Sequence, residues 1–338
     1  MKIPNTDYPN LVSNLYKGML HREPEPGEVE HWVKQLNKGL SINNIIDHFL
    51  KSDEFNGIRQ KVGNLFVPPG HFYSPIVNVD EARPLFAKNA PPPEQLPAIT
   101  IDRQAMLALW EQLKPHLQNT SFPDEPTTNS RYYFKNTAFS YGDGSILSAM
   151  LRHFQPKRLV EVGSGYSSAC AMDTIENHLD SKVAVSFIEP YPELLVKLLG
   201  EDALKRVEIH ACGVQNANMG LFTQLESGDF LFIDSTHIMK TGSDVCHELF
   251  TVLPALKPGV FIHFHDIFWP FEYGADWVLN ENRSWNELYG LRAFLMYNNA
   301  FEIVFFNDYF VKFCRDTIKA DYPTMLKNSG GSIWLRKK

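Results

Sequence analysis

The chain has 338 residues, 44% of them apolar and 21% charged, with 32 basic against 39 acidic side chains and a formal net charge of −7. At ~150 residues per domain that length suits about two domains, and the balance of apolar and charged residues is that of an ordinary globular protein. It excludes a disordered chain, a collagen-like repeat and a disulfide-stapled miniature, and the acidic balance speaks against a nucleic-acid partner, which needs a basic footprint.

In chain order, Met1-Lys2-Ile3-Pro4-Asn5-Thr6-Asp7 lacks the apolar stretch of a secretory signal, and no run approaches the ~20 apolar residues of a membrane span. Neither a membrane partner nor export is expected, and the cytoplasm is the expected compartment. Tyr8, Leu11, Val12, Leu15, Tyr16 and Met19 recur at three- and four-residue spacing and predict a helix. Glu23-Pro24-Glu25-Pro26-Gly27 ends it. Val29, Trp32, Val33 and Leu36 mark a second helix, and Ser41 is the expected N-cap of a third carrying Ile42, Ile45, Ile46 and Phe49. The pattern Leu15-Tyr16-x-x-Met19-Leu20-x-Arg22-Glu23-Pro24, then Trp32, then Phe49-Leu50-x-Ser52-x-Glu54-Phe55 resembles a short bacterial domain of unknown function (DUF4214). The resemblance implies a small N-terminal all-α domain over residues 1–61, suited to packing or to docking a protein partner, and implies no chemistry.

Over residues 62–100 periodicity is lost and proline is dense, from Pro68-Pro69 to Pro91-Pro92-Pro93 and Pro97, which predicts a linker or arm. Phe66, Phe72 and Tyr73 make it too aromatic for a free tether, so it is expected to lie on the following domain. From 101 to 338 helical and strand patterns alternate. Short apolar runs at 158–162, 183–188, 207–211, 230–233 and 260–264 read as five strands, with helices between them, and 301–306 and 332–335 as two more. Strands alternating with helices at this spacing predict an α/β fold with a doubly wound, mostly parallel sheet of seven strands, closed by an antiparallel pair. Cys170, Cys212, Cys246 and Cys314 show no C-x-x-C spacing and read as reduced thiols.

The first strand of this region runs into Glu161-Val162-Gly163-Ser164-Gly165-Tyr166-Ser167-Ser168 and then a helix. Glycines there let the chain turn sharply and let a ligand approach the free N–H groups of the helix start. The second strand ends in Glu189-Pro190, placing a carboxylate where it can accept hydrogen bonds from a ribose diol, and the third ends in Cys212-Gly213-Val214-Gln215, beside which an adenine could rest. Asp234 ends the fourth strand and Asp266 the fifth, each with histidines nearby: His237 three residues beyond Asp234, and His265 next to Asp266. Adjacent strands lie ~4.8 Å apart, so the two carboxylates should converge and need a cation or a donor between them.

This set, Glu-x-Gly-x-Gly after strand one, an acid after strand two and seven strands with an antiparallel end, resembles the class I S-adenosylmethionine-dependent methyltransferases of Rossmann-like fold, over roughly residues 130–338. The resemblance implies S-adenosylmethionine as cofactor, with Glu161, Gly163, Ser164, Gly165 and Ser167 on its methionine side, Glu189 and Pro190 at the ribose, Val214 and Gln215 at the adenine, and Asp234 beside the reacting end. Within that family the chain is similar to catechol-type and antibiotic-sugar O-methyltransferases, whose Asp-x-x-His is matched by Asp234 and His237. That similarity implies His237 as general base, its ordinary pKa of ~6.5 suiting proton removal near neutrality. It also implies a divalent metal, Mg²⁺ or Mn²⁺, on Asp234, His265 and Asp266, although the sugar enzymes carry an acidic pair where this chain has His265-Asp266, and histidine is a poor Mg²⁺ ligand. The expected reaction is methylation of a hydroxyl on a sugar or another polar small molecule. Two other functions stay open. A nicotinamide oxidoreductase is disfavoured by Ser168, where its loop wants Gly or Ala. A non-catalytic binding protein is disfavoured by the intact glycine and carboxylate set.

Overall fold

The computed structural model describes residues 7–338 except 21, 26, 63–65, 68, 89–90 and 180–182, together with no side chains from 58 to 62. Met1–Thr6, Pro26 of the expected turn and Pro68 of the expected arm lie outside the described residues. The chain forms two compact units, Met1–Asn78 and Val79–Lys338.

The first unit contains helices Tyr8–Leu20, Glu28–Asn37, Ile42–Lys51 and Asp53–Val62, one more than the apolar spacing predicts. Ser41 caps the third as expected, accepting the Asn44 N–H. Val12, Tyr16, Leu20, Leu36, Ile45 and Phe49 form the core. Arg22 ties the ends together: its guanidinium binds Glu28 at 2.8 and 2.9 Å and Glu54 at 2.6 and 3.1 Å, and it stands 4.9 Å from the centre of the Tyr16 ring. Phe66, Phe72 and Tyr73 are exposed, the Phe72 and Tyr73 rings resting on His71 and on each other.

In the second unit the expected arm is partly helical, Val79–Phe86, and Trp269 Nε1 donates to the Pro93 carbonyl at 2.7 Å. The sheet has strands β1 Arg158–Val162, β2 Ala184–Ile188, β3 Val207–His210, β4 Phe230–Ile233, β5 Phe261–Phe264, β6 Phe301–Phe306 and β7 Ile333–Lys337. Their order is β3-β2-β1-β4-β5-β7-β6, with β7 antiparallel to both neighbours and the first five parallel. This is the doubly wound, mostly parallel α/β fold. β1, β4 and β5 are almost wholly buried, which is why they read as continuous apolar runs rather than as an alternation.

The register places Val162 beside both Ile188 and Ile233, and Ile233 beside Phe264. Residues just past these four positions therefore meet along one edge of the sheet. Helices also occur where the sequence expectation has none. The stretch between β6 and β7 holds helices Asn307–Phe313 and Arg315–Asp321. A buried helix, Tyr141–Phe154, precedes β1; its Gly144 admits the Tyr132 hydroxyl so closely that a Cβ there would stand 2.0 Å from it.

Candidate active site

Gly163 directly follows β1; its φ of +77° belongs to glycine, and a Cβ there would stand 1.7 Å from the Asp234 carbonyl oxygen. The loop is fixed from two sides. Glu189, at the end of β2, accepts the Ser164 N–H at 3.0 Å on one oxygen and the Tyr191 N–H at 2.9 Å on the other. Glu161 lies beneath, buried, accepting the hydroxyls of Ser167 at 2.6 Å and Ser168 at 3.0 Å, while Ser168 also accepts the Gly165 N–H at 3.0 Å. Burial pushes the Glu161 carboxyl up to about 8 despite those two donors. Its place is under the loop, holding Ser167 and Ser168, rather than on the cleft wall. A cavity of about 240 Å³ opens above, lined by Phe139, Gly163, Ser164, Gly165, Glu189 and Asp234 among others. Gly165 opens onto it: a Cβ there would meet only Leu194, at 3.8 Å. Pro190 is exposed beside Glu189. Val214 is buried in a short turn after β3, and Gln215 donates to the Gly242 carbonyl; both stand outside the lining of that cavity.

A closed ring of four side chains lies at the ends of β4 and β5. Asp234 Oδ1 is 3.4 Å from His237 Nε2 and 3.4 Å from His265 Nδ1. Asp266 completes the ring, with Oδ2 3.5 Å from His237 Nε2 and Oδ1 3.6 Å from His265 Nδ1. Each imidazole has a further carboxylate on its other nitrogen: Glu287, 2.7 Å from His237 Nδ1, and Asp143, 3.4 Å from His265 Nε2. His237 and Asp266 both adopt left-handed backbone, φ +61° and +56°, a conformation that costs about 1–2 kcal/mol for such residues. It is held at His237 by its carbonyl accepting the N–H groups of Asn286 and Glu287, and beside Asp266 by the Ile267 N–H donating to Gly331 at 2.7 Å. The Trp285 ring lies over His237, with centres 4.4 Å apart.

These contacts set the charges. Burial works to lower the His237 pKa, but bonds to Asp234 and Glu287 outweigh it and push it up to about 10. His237 therefore carries a proton at neutral pH, which corrects the expectation of an ordinary value; the physical cause is the pair of carboxylates, Asp234 and Glu287, on the two nitrogens of one buried ring. Burial also opposes charge on His265, yet Asp266, Asp234 and Asp143 hold it well above the usual range. Asp234 is kept low by the two imidazoles in spite of its burial, whereas burial raises Asp266. His263, inside β5 and fully buried against Phe232, is held neutral by desolvation, as suits a core histidine.

The expected metal set of Asp234, His265 and Asp266 does not fit a divalent ion. Both His265 nitrogens face carboxylates, and among the described residues no group of three or more His, Cys, Asp or Glu side chains is arranged to hold a metal. The two imidazoles stand between the carboxylates instead. Where S-adenosylmethionine is expected, the structure has the Glu189 carboxylate beside a glycine-floored cavity, with the N–H groups of Gly163, Ser164 and Gly165 bonded within the protein. Glu287 and Asp143 were not foreseen from the sequence, because they come from 50 and 122 positions away and join the site only through packing.

Fold and site together place a glycine-floored cavity beside an acid–imidazole cluster at the carboxyl edge of a doubly wound sheet. A family profile described as "Methyltransferase domain" matches residues 160–267, and one described as "Domain of unknown function (DUF4214)" matches residues 3–58. An uncharacterized protein of Archaeoglobus fulgidus is 31% identical over 173 residues, which cover 50% of this chain and 77% of that protein. Among solved structures, the chain is similar to the SAH-bound methyltransferase PaMTH1 of Podospora anserina (19% identity, 82% of this chain, 100% of that chain, TM-score 0.37). It is also similar to the O-methyltransferase TomG of Streptomyces achromogenes, involved in tomaymycin synthesis and solved with SAM (14% identity, 71% and 92%, TM-score 0.38). The chain belongs to the class I S-adenosylmethionine-dependent methyltransferase family, with a DUF4214 module ahead of the catalytic fold. No helix among the described residues is long and apolar enough to cross a membrane.

Proposed function

We propose that the protein transfers a methyl group from S-adenosylmethionine to a hydroxyl of a polar small molecule, a sugar being the favoured class, without help from a resident metal. One observation carries the reading: Asp234 lines the glycine-floored cavity and also touches both imidazoles of the ring, so the cofactor cavity and the proton-handling groups share one carboxylate. When bound, the cofactor supplies a methyl group already activated on a positive sulfur. Glu189 and the Gly163–Gly165 backbone hold it, with Val214 and Gln215 toward its adenine end. Asp234 and Asp266 orient the incoming hydroxyl, and His237 accepts its proton at Nε2 once that nitrogen is free, while Glu287 keeps the ring turned toward the carboxylates. Phe268, Trp277 and Trp285 stand beside this edge as flat walls of the kind that sugar rings and planar molecules rest on.

The N-terminal module is assigned no part in this chemistry; docking to a protein partner is the role proposed for it. Calorimetry with S-adenosylhomocysteine tests the cofactor. Binding is expected at micromolar concentration, and no heat at about 100 μM, an affinity far below that of a working cofactor site, would end the proposal.

A further inference from the structure

We propose that Arg283 binds an oxyanion of the acceptor, a carboxylate or a phosphate, so that the substrate class is an acidic sugar. Its free hydroxyl lies at Asp234 and Asp266 while its anionic group rests on the guanidinium. The inference rests on the reading of the site as that of a methyltransferase, and it adds the acceptor class to that reading.

The segment that follows helix Ala275–Leu279 is pinned at both ends. Asn282 turns the chain with φ +51°, and the Arg283 N–H donates to the Trp277 carbonyl at 2.9 Å. At the other end the N–H groups of Asn286 and Glu287 donate to the His237 carbonyl, each at 3.1 Å. Arg283 and Trp285 therefore hold fixed places relative to His237. The Trp277 and Trp285 rings meet edge-on, with centres 5.3 Å apart and planes at 74°, and form a corner. The Arg283 guanidinium carbon sits over both, 4.2 Å from the centre of Trp277 and 4.7 Å from that of Trp285. Trp285 also lies over His237, with centres 4.4 Å apart, so one indole joins the cation to the acid–imidazole ring.

The hydrogen bonding of this cation leaves one edge open. Nε donates to Glu281 at 2.5 Å, and neither terminal amino nitrogen has a hydrogen-bond partner among the described residues. The side chain is 32% exposed, so a ligand can reach it. The two indoles and Glu281 thus hold the guanidinium plane without using the parallel N–H pair that fits a carboxylate or phosphate. Charge orders the rest of the acceptor. Asp234 and Asp266 present carboxylate oxygens, which accept a hydroxyl and repel an anion. Trp277 and Trp285 supply flat faces between the two ends, on which a sugar ring can rest. An acidic sugar has one favoured direction along this edge, hydroxyl toward the carboxylates and anion toward Arg283. A neutral sugar has no such preference.

The test uses the full chain with tryptophan indoles labelled by ¹⁵N, the Trp277 and Trp285 signals being assigned by their loss in Trp277→Phe and Trp285→Phe. D-Glucuronate, D-glucose 6-phosphate and D-glucose are titrated separately at constant ionic strength. At least one acidic sugar should shift both signals saturably in the millimolar range or below, while Trp32, Trp110 and Trp334 stay unmoved. Glucose should bind at least about tenfold more weakly, the gain expected from a hydrogen-bonded charge. The tighter of the two acids identifies the oxyanion as carboxylate or phosphate. Arg283→Gln should weaken that binding by about tenfold or more, and Arg283→Lys, which keeps the charge but not the fork, should fall between. No saturable shift with either acid, glucose binding as tightly as the acids, or undiminished binding by Arg283→Gln would overturn the proposal and leave the arginine as packing for the two indoles. Wild type that binds no S-adenosylhomocysteine would instead overturn the cofactor reading, and the indole titrations would still decide the role of Arg283.

Discussion

His237 Nδ1 lies 2.7 Å from Glu287 Oε2 in a pocket that buries both side chains. The pair, with Asp234 on the other nitrogen, pushes the His237 pKa up to about 10. An imidazole that already holds its proton cannot take one from a hydroxyl. Turnover should therefore rise with pH from 7 toward about 10 and level off above it. His237→Ala should lower kcat by roughly 10²–10⁴-fold and leave S-adenosylhomocysteine affinity nearly unchanged. A profile flat across that range would assign the proton to another group. The same shift contributes to stability. The protonated ring favours the folded state below its unfolded value of ~6.5, and the contribution is lost as pH rises through about 10.

Glu189 spans the cofactor loop and the end of β2 by accepting the N–H groups of Ser164 and Tyr191. Glu189→Ala removes a charged acceptor, whose bonds are worth about 1.5–3 kcal/mol. The dissociation constant for S-adenosylhomocysteine should rise by roughly ten- to a hundredfold, with little change in the denaturant midpoint. Calorimetry and urea titration on the same preparation separate the two effects.

At Gly163 the positive φ and the 1.7 Å approach of a Cβ to the Asp234 carbonyl act together. Gly163→Ala should cost about 2–4 kcal/mol of stability or prevent soluble expression. Gly165→Ala has room, so it should fold normally but bind cofactor poorly. Equal melting temperatures for Gly163→Ala and wild type would show that β1 and β4 can part more easily than their packing indicates.

If the two imidazoles stand where a metal would, EDTA followed by desalting should leave turnover unchanged, and added Mg²⁺ or Mn²⁺ should not raise it. Metal analysis of purified protein by plasma mass spectrometry gives an independent reading. Stoichiometric metal together with loss of activity on chelation would refute the charge assignment to His265.

The parallel part of this fold was readable because a strand buried on both faces must be apolar throughout, as Phe230–Ile233 and Phe261–Phe264 are. The cofactor loop was readable because a turn with φ near +77° leaves few choices but glycine. Helix Tyr141–Phe154 was hidden by Gly142 and Gly144, poor helix formers kept for close packing. The two helices between β6 and β7 are seven residues each, too short for a clear apolar period. At the site, Asp234, His237, His265 and Asp266 were visible as strand-end chemistry. Their state of charge was not, because it depends on Glu287 and Asp143, which no spacing rule connects to them. Spacing also left open whether His265 serves a metal or a carboxylate.

β7 lies between β5 and β6, although both are made before it. On the ribosome, β6 has no strand to pair with, and β5 keeps one bare edge, until Ile333–Lys337 follows. An unpaired edge of this kind invites chaperones or aggregation. Ser332, which secures Asp143, belongs to the same late segment. Completion of the sheet and of the hydrogen bonds around Asp143 therefore waits on one and the same late segment.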